Sequence, residues 1–323
     1  MITRRKVLLG SMAAGAVAIW PSKFLMSGAS QPSTPVNFPV PPGACDCHTH
    51  IFGDPHQFPW FPGRTYTPEP ASVAEMRALH RALHMGRVVI VNPSVYGTDN
   101  SCTVDAMKQL GPRARGIAVI DDKTSAEQLE EMDRAGVRGI RLNFETFGQT
   151  NPDATRKAFQ SAVDRVASRK WHIQIYTHLE VIESLHKEIM AAPVPVVFDH
   201  FGGAKGSLGT GQAGFDTMLD LVRSGKAYVK ISGAYRASDK PPEYPDAAPL
   251  AKALIAANAE RIVWGSDWPH PAGAALPGHS ATDVAPLLQI DDGRLLNQLA
   301  VWVPDAGVRK TILVDNPARL YKF

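Results

Sequence analysis

The sequence repeats one unit eight times after residue 43. Each unit is a short run of β-forming residues followed by an amphipathic segment with helical period. The runs are residues 44–50, 87–92, 115–120, 137–143, 172–178, 194–200, 227–232 and 261–266. Strands separated by helices require parallel pairing through right-handed crossovers, and eight such units favour a closed barrel over an open sheet. The sequence therefore predicts an α/β fold, a single (β/α)8 TIM barrel over residues 43–323.

Residues 1–29 have the composition of an export signal. Arg4 and Arg5 precede an apolar run at 7–20, small residues follow at 27–29, and the segment contains no acidic residue. Such a run is about 21 Å long as a helix, shorter than a bilayer core of about 30 Å. We therefore expect a twin-arginine signal peptide, a periplasmic mature protein without a stable membrane anchor, and a Pro-rich lead-in at 30–42. A membrane anchor or a basic N-terminal helix is the alternative.

The charge distribution argues against nucleic-acid binding, and the cysteine content argues against a disulfide framework. The formal net charge is +3, and four of the 34 basic residues lie in the predicted signal, so the barrel itself is close to neutral. A near-neutral surface lacks the basic face that nucleic-acid binding needs. The chain has three cysteines, Cys45, Cys47 and Cys102. The first two are too close in sequence for an unstrained disulfide, so we expect buried free thiols. Composition gives no indication of an oligomeric state.

Polar residues recur at the carboxyl ends of the predicted strands, where the loops of a β/α barrel assemble a site. The first strand ends in His48 and His50, and period-two alternation predicts that Asp46 shares their face while Cys45 and Cys47 share the other. Similar positions on later strands are occupied by Ser94, Arg141, Tyr176, His178, His200, Arg236, Asp267 and His270. Burying so many polar groups costs free energy unless they contact one another, a metal or a ligand. We therefore expect one polar site at the barrel mouth.

The histidines and the aspartate in this set indicate acid–base chemistry. The pair His48 and His50 suits a shared divalent cation or one polarised oxygen. His200 can donate to a developing oxyanion. Asp267 lies between two tryptophans in the sequence, and a dry aromatic wall would raise its proton affinity and suit it to act as a general base. The structural alternatives are hydrogen-bonded core histidines and a helix-capping aspartate.

The remaining candidates are expected to bind substrate. A guanidinium matches the two oxygens of a carboxylate, so Arg141 and Arg236 predict an anionic ligand, with pairing to a protein carboxylate as the alternative. His178 is open to two interpretations, a third metal ligand or a substrate contact. The expected substrate-binding residues are Arg141, Arg236, Tyr66, Ser94, Tyr176, His178 and His270.

Five short motifs resemble the amidohydrolase superfamily, in its branch of decarboxylase-like and lactone-hydrolysing barrels. They are His48-Thr49-His50, Asn92-Pro93-Ser94, Asp199-His200, Ser266-Asp267-Trp268-Pro269-His270 and the segment 315–321. The resemblance extends from about residue 43 to the last residue. It implies an amidohydrolase-like enzyme that opens a small carboxylated lactone, with Asp267 activating water and with His48, His50 and His200 polarising the carbonyl. Some members of the branch work without metal, and others bind zinc or manganese through His48, His50 and Asp267.

The same barrel suits other reactions. Lactone isomerisation would use Asp267 as a proton shuttle, and decarboxylation would depend on a metal. A non-catalytic alternative is an exported organic-acid binding protein, against which the base beside the histidines argues. Two positions depart from the family pattern: Tyr176 stands where metal-binding relatives usually have a histidine, and segment 144–147 offers no basic residue for a second carboxylate.

Overall fold

The computed structural model describes residues 28–275 and 277–323. Residues 1–27, which contain nearly all of the predicted signal peptide, therefore lie outside the described residues. Within the described ranges, every helix is too short or too polar to cross a bilayer.

Eight parallel strands form one sheet in which each strand pairs with the next along the chain. They are β1 (Cys45–Thr49), β2 (Arg87–Val91), β3 (Ala114–Ala118), β4 (Val137–Asn143), β5 (His172–Tyr176), β6 (Val196–Phe198), β7 (Ala227–Ser232) and β8 (Ile262–Gly265). The sheet closes through a parallel bridge between Thr49 and Trp268, and the amide of Asp267 donates to the carbonyl of His48 over 2.9 Å. The predicted single barrel is confirmed.

Twelve α-helices are described, and most of them pack on the outside of the sheet. They are α1 (Val73–Ala82), α2 (Ser101–Leu110), α3 (Ala126–Ala135), α4 (Pro152–Val166), α5 (Leu179–Ser184), α6 (His186–Ala191), α7 (Phe215–Arg223), α8 (Ala234–Ala237), α9 (Ala247–Asn258), α10 (Asp292–Trp302), α11 (Ala306–Lys310) and α12 (Asn316–Tyr321). Several begin at side-chain caps: Ser72 and Ser125 each form a reciprocal capping box with the residue three positions later. A two-stranded ribbon joins Thr67–Pro68 to Val284–Ala285.

The apolar core has two parts. The larger part lies between the sheet and the helices, and the smaller part fills the barrel interior below the strand ends. The interior part contains Cys45, Cys47 and Tyr228, and it is packed against Tyr321 and Phe323 at the end of the chain. All three cysteines are buried and free, as expected.

A bulge in β1 corrects the predicted alternation of its side chains. Asp46 pairs with Val88 and Thr49 pairs with Ile90, so β1 has one more residue than β2 over this stretch. Asp46 consequently points outward, where its carboxylate accepts from Ser266 and lies 3.3 Å from His80 of α1. The prediction that Asp46 shares a face with His48 is wrong, because the extra residue shifts the alternation.

The Pro-rich lead-in lies across α10 as an extended segment. The hydroxyls of Ser33 and Thr34 donate to Asp291, which also caps α10. The carbonyl of Ser30 accepts from the indole of Trp268 over 3.0 Å, next to Asp267. The segment after residue 28 is therefore packed against the barrel close to the predicted site.

Candidate active site

A cavity of about 310 Å³ opens at the carboxyl ends of the strands. The predicted site residues that line it are His50, Tyr66, Ser94, Arg141, Tyr176, His200, Arg236 and Asp267. His48 is fully buried, and its Nε2 lies 3.3 Å from Nε2 of His50. Residues that are far apart in the sequence thus meet around one space of the size that holds a small ring.

Asp267 presents two differently bonded oxygens. Its Oδ2 accepts from the hydroxyl of Tyr235 at 2.6 Å and from Nε of Arg236 at 2.5 Å. Its Oδ1 lies 3.6 Å from Nε2 of His48 and 3.7 Å from Nε2 of both His50 and His200. Among the residues described, Oδ1 has no hydrogen-bond partner. One oxygen therefore anchors the carboxylate, and the other is free to react.

The electrostatics of Asp267 differ from the sequence expectation. Burial alone would raise its pKa, but the Arg236 guanidinium holds the pKa well below the usual range. The two tryptophans pack in the outer core and leave the cavity side of Asp267 to charged groups. The prediction of a raised proton affinity is wrong because an ion pair outweighs desolvation here.

The Nδ1 atoms of His48 and His50 have different partners. Nδ1 of His48 lies 3.2 Å from a carboxylate oxygen of Asp199, and Nδ1 of His50 lies 2.8 Å from the carbonyl oxygen of Val91. The carbonyl of Val91 only accepts, so the proton of His50 lies on Nδ1, whereas Nδ1 of His48 also lies 3.3 Å from Nζ of Lys230, a donor, and His48 can adopt either tautomer. Burial lowers the pKa of His50 to about 4, and it lowers that of His48 well below its usual value. At neutral pH Nε2 of His50 therefore presents a lone pair, which faces Nε2 of His48 and Oδ1 of Asp267.

His200 can adopt either tautomer. Its Nδ1 lies 3.0 Å from the hydroxyl of Ser232 and 3.4 Å from the carbonyl of the same residue. When the hydroxyl donates to Nδ1, Nε2 carries the proton and becomes a donor toward the cavity. Burial lowers the pKa of His200 to about 4, so the ring is neutral at pH 7. His200 is therefore the histidine of this cluster best suited to donate to an oxyanion.

The donor set of the cluster suits a divalent cation. His48, His200 and Asp267 each offer a ligand atom, and these atoms lie within 4.8 Å of one another. His50 adds a fourth, since its Nε2 is close to both His48 and Asp267. The unpartnered Oδ1 of Asp267 and the Nε2 lone pair of His50 are of the kind that zinc takes as ligands. The residues present fit a metal, and His200 joins the set predicted from the sequence.

Both arginines pair with protein carboxylates while they border the cavity. Nε of Arg141 donates to Asp199 over 3.0 Å, and the guanidinium lies 5.0 Å from the ring of Tyr176. Arg236 contacts Asp267 and also donates to the carbonyl of Pro271. The structural alternative that we set out for the arginines thus holds in part, and their cavity side remains available to an anion.

A buried polar network below the cavity was not predicted. Lys230 is fully buried, donates to Gln174 over 2.6 Å and lies 3.5 Å from Asp199. Tyr235 was missed as well, although it precedes Arg236. Tyr235 and Arg236 reach Asp267 because Gly233, at φ 56°, begins the short helix α8. The Cα of Gly233 lies close to the carboxylate, since a Cβ there would be 3.1 Å from Oδ2. An inward lysine in the middle of a strand pattern is the signal that would have indicated the network.

Two predicted substrate-binding residues lie elsewhere. His270 is fully buried with Nε2 2.9 Å from Asp292, so it supports the chain after Asp267 and does not line the cavity. His178 lies just beyond β5, where its Nε2 is 2.7 Å from Glu145, and it is not part of the cavity lining. The strand ends before His178, which places its side chain at the rim. The prediction that these two contact substrate is corrected accordingly.

Known proteins resemble this chain over most of its length. The family described as Amidohydrolase (Amidohydro_2) matches residues 45–323. The 4-sulfomuconolactone hydrolase of Hydrogenophaga intermedia is 34% identical over 89% of this chain and 91% of its own. The 2-pyrone-4,6-dicarboxylate hydrolase of Comamonas testosteroni is 34% identical over 90% and 94% of the two chains. The D-galactarolactone isomerase of Agrobacterium fabrum is 28% identical over the same shares.

A solved structure gives the same result for the fold. A probable 2-pyrone-4,6-dicarboxylic acid hydrolase from Acinetobacter baumannii, with citric acid bound, is 25% identical with a TM-score of 0.72. The match covers 87% of this chain and all of that one. The barrel, its cluster of histidines with Asp267, and these similarities agree, and the chain belongs to the amidohydrolase family.

Proposed function

We propose that this protein hydrolyses a small carboxylated lactone at the mouth of its barrel. The observation that carries the proposal is the free Oδ1 of Asp267, which lies within 3.7 Å of three histidines at the edge of a cavity bordered by two arginines. Relatives that are lactone hydrolases, 34% identical over most of the chain, support the same reaction. A binding protein for organic acids would have no use for a buried carboxylate oxygen left without a donor.

The chemistry follows from the hydrogen bonds of the cluster. Oδ1 of Asp267 accepts a proton from water as the water oxygen bonds to the lactone carbonyl carbon. His200 donates to the carbonyl oxygen as negative charge develops there. When the ring C–O bond breaks, Asp267 returns its proton to the leaving oxygen, which yields a free acid and a hydroxyl group. Arg236 and Tyr235 keep Oδ2 in place throughout.

We propose that a divalent cation, zinc or manganese, assists this reaction. His48, His50, His200 and Asp267 would hold it, since their ligand atoms converge, and the ion would then replace the Nε2 proton of His200 in polarising the carbonyl oxygen. When bound, such an ion lowers the pKa of water and polarises a carbonyl oxygen. Elemental analysis of purified protein is expected to find it, and zinc added to chelated protein should raise the melting temperature of wild type but not of His48→Gln. Metal-free protein with full turnover after chelation would contradict this.

A panel of lactones with one and two carboxylates tests the main proposal. NMR is expected to show a free acid for at least one member. Asp267→Asn should lower kcat by about 10²–10⁴, the usual contribution of a positioned base. Asp239→Asn, on the exposed loop after α8, is the control and should leave turnover unchanged. Asp267→Asn with wild-type turnover on a lactone that the enzyme opens would overturn the assignment.

Isomerisation is the second candidate, and the galactarolactone isomerase relative favours it. The same Asp267 would then move a proton between a substrate hydroxyl and the ring oxygen, with no water consumed. The product separates the two reactions, since isomerisation yields a new ring and hydrolysis yields an open acid. In water labelled with oxygen-18, only hydrolysis incorporates the label into product.

We further propose that the protein is exported to the periplasm through its twin arginines. Arg4 and Arg5 ahead of a short apolar run support this. Cell fractionation of the full chain should recover a shortened protein from the periplasm. The double variant Arg4→Lys, Arg5→Lys is expected to remain in the cytoplasm at full length. Wild-type protein recovered only from the cytoplasm would contradict the proposal.

A further inference from the structure

The cavity has an acidic side chain on its wall. Glu145 lies on the loop after β4, and its carboxylate borders the same space as Arg141 and Arg236. Its side chain is 27% exposed, and Oε2 is 2.7 Å from Nε2 of His178 at the rim. Within the described residues, no ion pair joins Glu145 to either arginine. Oε2 is engaged by His178, so Oε1 is the oxygen of Glu145 that is left for a ligand.

The loop that carries Glu145 is held in place. Asn143 accepts from the amide of Thr146 and donates to its hydroxyl, over 3.0 and 2.9 Å. The amides of Phe144 and Glu145 both donate to the carbonyl of Tyr176 at the end of β5. Because backbone and side-chain hydrogen bonds fix this turn, Glu145 is a built part of the cavity wall rather than a surface acid.

The charges around the cavity leave nothing to balance a second anionic group. Arg236 is paired with Asp267, while Arg141 and Lys230 together face Asp199. Without Glu145, these three cations and two carboxylates sum to one positive charge, which matches a single ligand carboxylate. Glu145 adds a negative charge where a basic residue would be needed for a second carboxylate. A dianionic lactone would therefore bring one carboxylate toward an acid without compensation.

We propose that Glu145 selects a lactone with a single carboxylate and at least one hydroxyl group. The carboxylate binds on the side of Arg141, and a substrate hydroxyl donates to Glu145, with the hydroxyl of Thr146 beside it. An ionised carboxylate only accepts hydrogen bonds, so it binds a hydroxyl and repels a carboxylate or a sulfonate. This selection rests on the proposed lactonase function and determines which lactones that function serves.

The test compares Glu145→Gln with wild type on two ligands. One is an aldaric acid monolactone, with one carboxylate and several hydroxyls, and the other is 2-pyrone-4,6-dicarboxylate. Wild type is expected to favour the monolactone by at least tenfold in kcat/KM. Glu145→Gln should lower KM for the dicarboxylate about tenfold and raise KM for the monolactone, with kcat for each changed less. Glu183→Gln, an exposed glutamate of α5, is the matched control and should change neither.

Calorimetry with the opened acids separates this inference from the proposed function. If wild type opens neither lactone, the hydrolase proposal fails, yet tighter dicarboxylate binding by Glu145→Gln would still support the role of Glu145. If wild type opens the dicarboxylate as well as the monolactone and Glu145→Gln alters neither KM nor affinity, the selection by Glu145 is overturned while the hydrolase proposal stands.

Discussion

The two ends of the barrel interior differ in polarity: the mouth is polar and charged, and the floor is apolar. At the mouth, Asp267, two histidines and two arginines line a cavity, and His48 is buried beside Asp267. At the floor, Cys45, Val89, Val197 and Tyr228 pack with the aromatic end of the chain. The same strands contribute to both ends, so the position of a residue along its strand decides whether its inward side chain is polar or apolar.

The difference shows where this chain can bury polar groups. Mouth side chains are satisfied by one another, as with Asp199 between His48 and Arg141, or are open to a ligand. Floor polar atoms have few partners: in the described part of the chain, the hydroxyl of Tyr321 and both ring nitrogens of His172 have none. We infer that the floor contributes stability through packing and that the mouth contributes chemistry through polarity.

The largest effect that tests this division is expected from a substitution of Tyr321. Its side chain is fully buried in the floor, with its ring 5.3 Å from that of His172. Tyr321→Ala should lower the free energy of unfolding by about 3–5 kcal/mol, as large-to-small core substitutions do. Denaturant unfolding measures this, and kcat of the folded enzyme should stay within about twofold.

Tyr321→Phe is the matched control for that prediction. It removes only a hydroxyl that has no partner within residues 28–275 and 277–323, so stability should be unchanged or slightly raised. Equal destabilisation by both variants would mean that the hydroxyl, rather than the packed ring, holds the floor.

The barrel and most of the mouth could be predicted from the sequence because their signals are local. Repeated strand and helix periods indicate the fold, and polar residues at strand ends indicate the site. The bulge in β1 could not be predicted, since it depends on the register against β2, and it turned Asp46 away from the site. The predicted strands also extended too far along the chain. His178 was therefore expected to contact substrate, whereas it lies beyond the end of β5, at the rim of the cavity.

Partners that lie far apart in sequence account for the remaining errors. The pKa of Asp267 depends on Arg236, which no local pattern couples to it. His270 looked like a ligand-binding residue because its partner, Asp292, follows 22 residues later and across a long loop. Lys230 was not identified as a site residue, since only the closed barrel brings it beside Asp199.

A pH titration of stability sharpens the comparison at the floor. Burial lowers the pKa of His172 to about 3, from an ordinary value near 6.5. Above pH 6.5 both states are neutral at this residue. Below pH 6.5 the imidazole is protonated in the unfolded chain but stays neutral in the native state. As the pH is lowered, the free energy of unfolding therefore falls until about pH 3, by at most about 1.4 kcal/mol per pH unit. Unfolding measured from pH 7 to 4 should be less pH-dependent in His172→Gln than in wild type. His56→Gln, an exposed histidine, should follow wild type, and identical slopes for all three would show that His172 titrates normally.

The smallest expected effect belongs to the mouth, at Tyr235. Its hydroxyl donates to Oδ2 of Asp267 over 2.6 Å, so it positions the base without facing the reacting atoms. Tyr235→Phe should lower kcat about tenfold with KM nearly unchanged, because Arg236 still holds the same oxygen. Loss of this donor destabilises the ionised form, so the pKa of Asp267 should rise and the acid limb of the kcat profile should move to higher pH. A merely structural role would lower stability and leave that limb in place. If Tyr235→Phe unfolds more easily but keeps the wild-type pH profile, the mouth relies on packing as the floor does, and the division between the two ends fails.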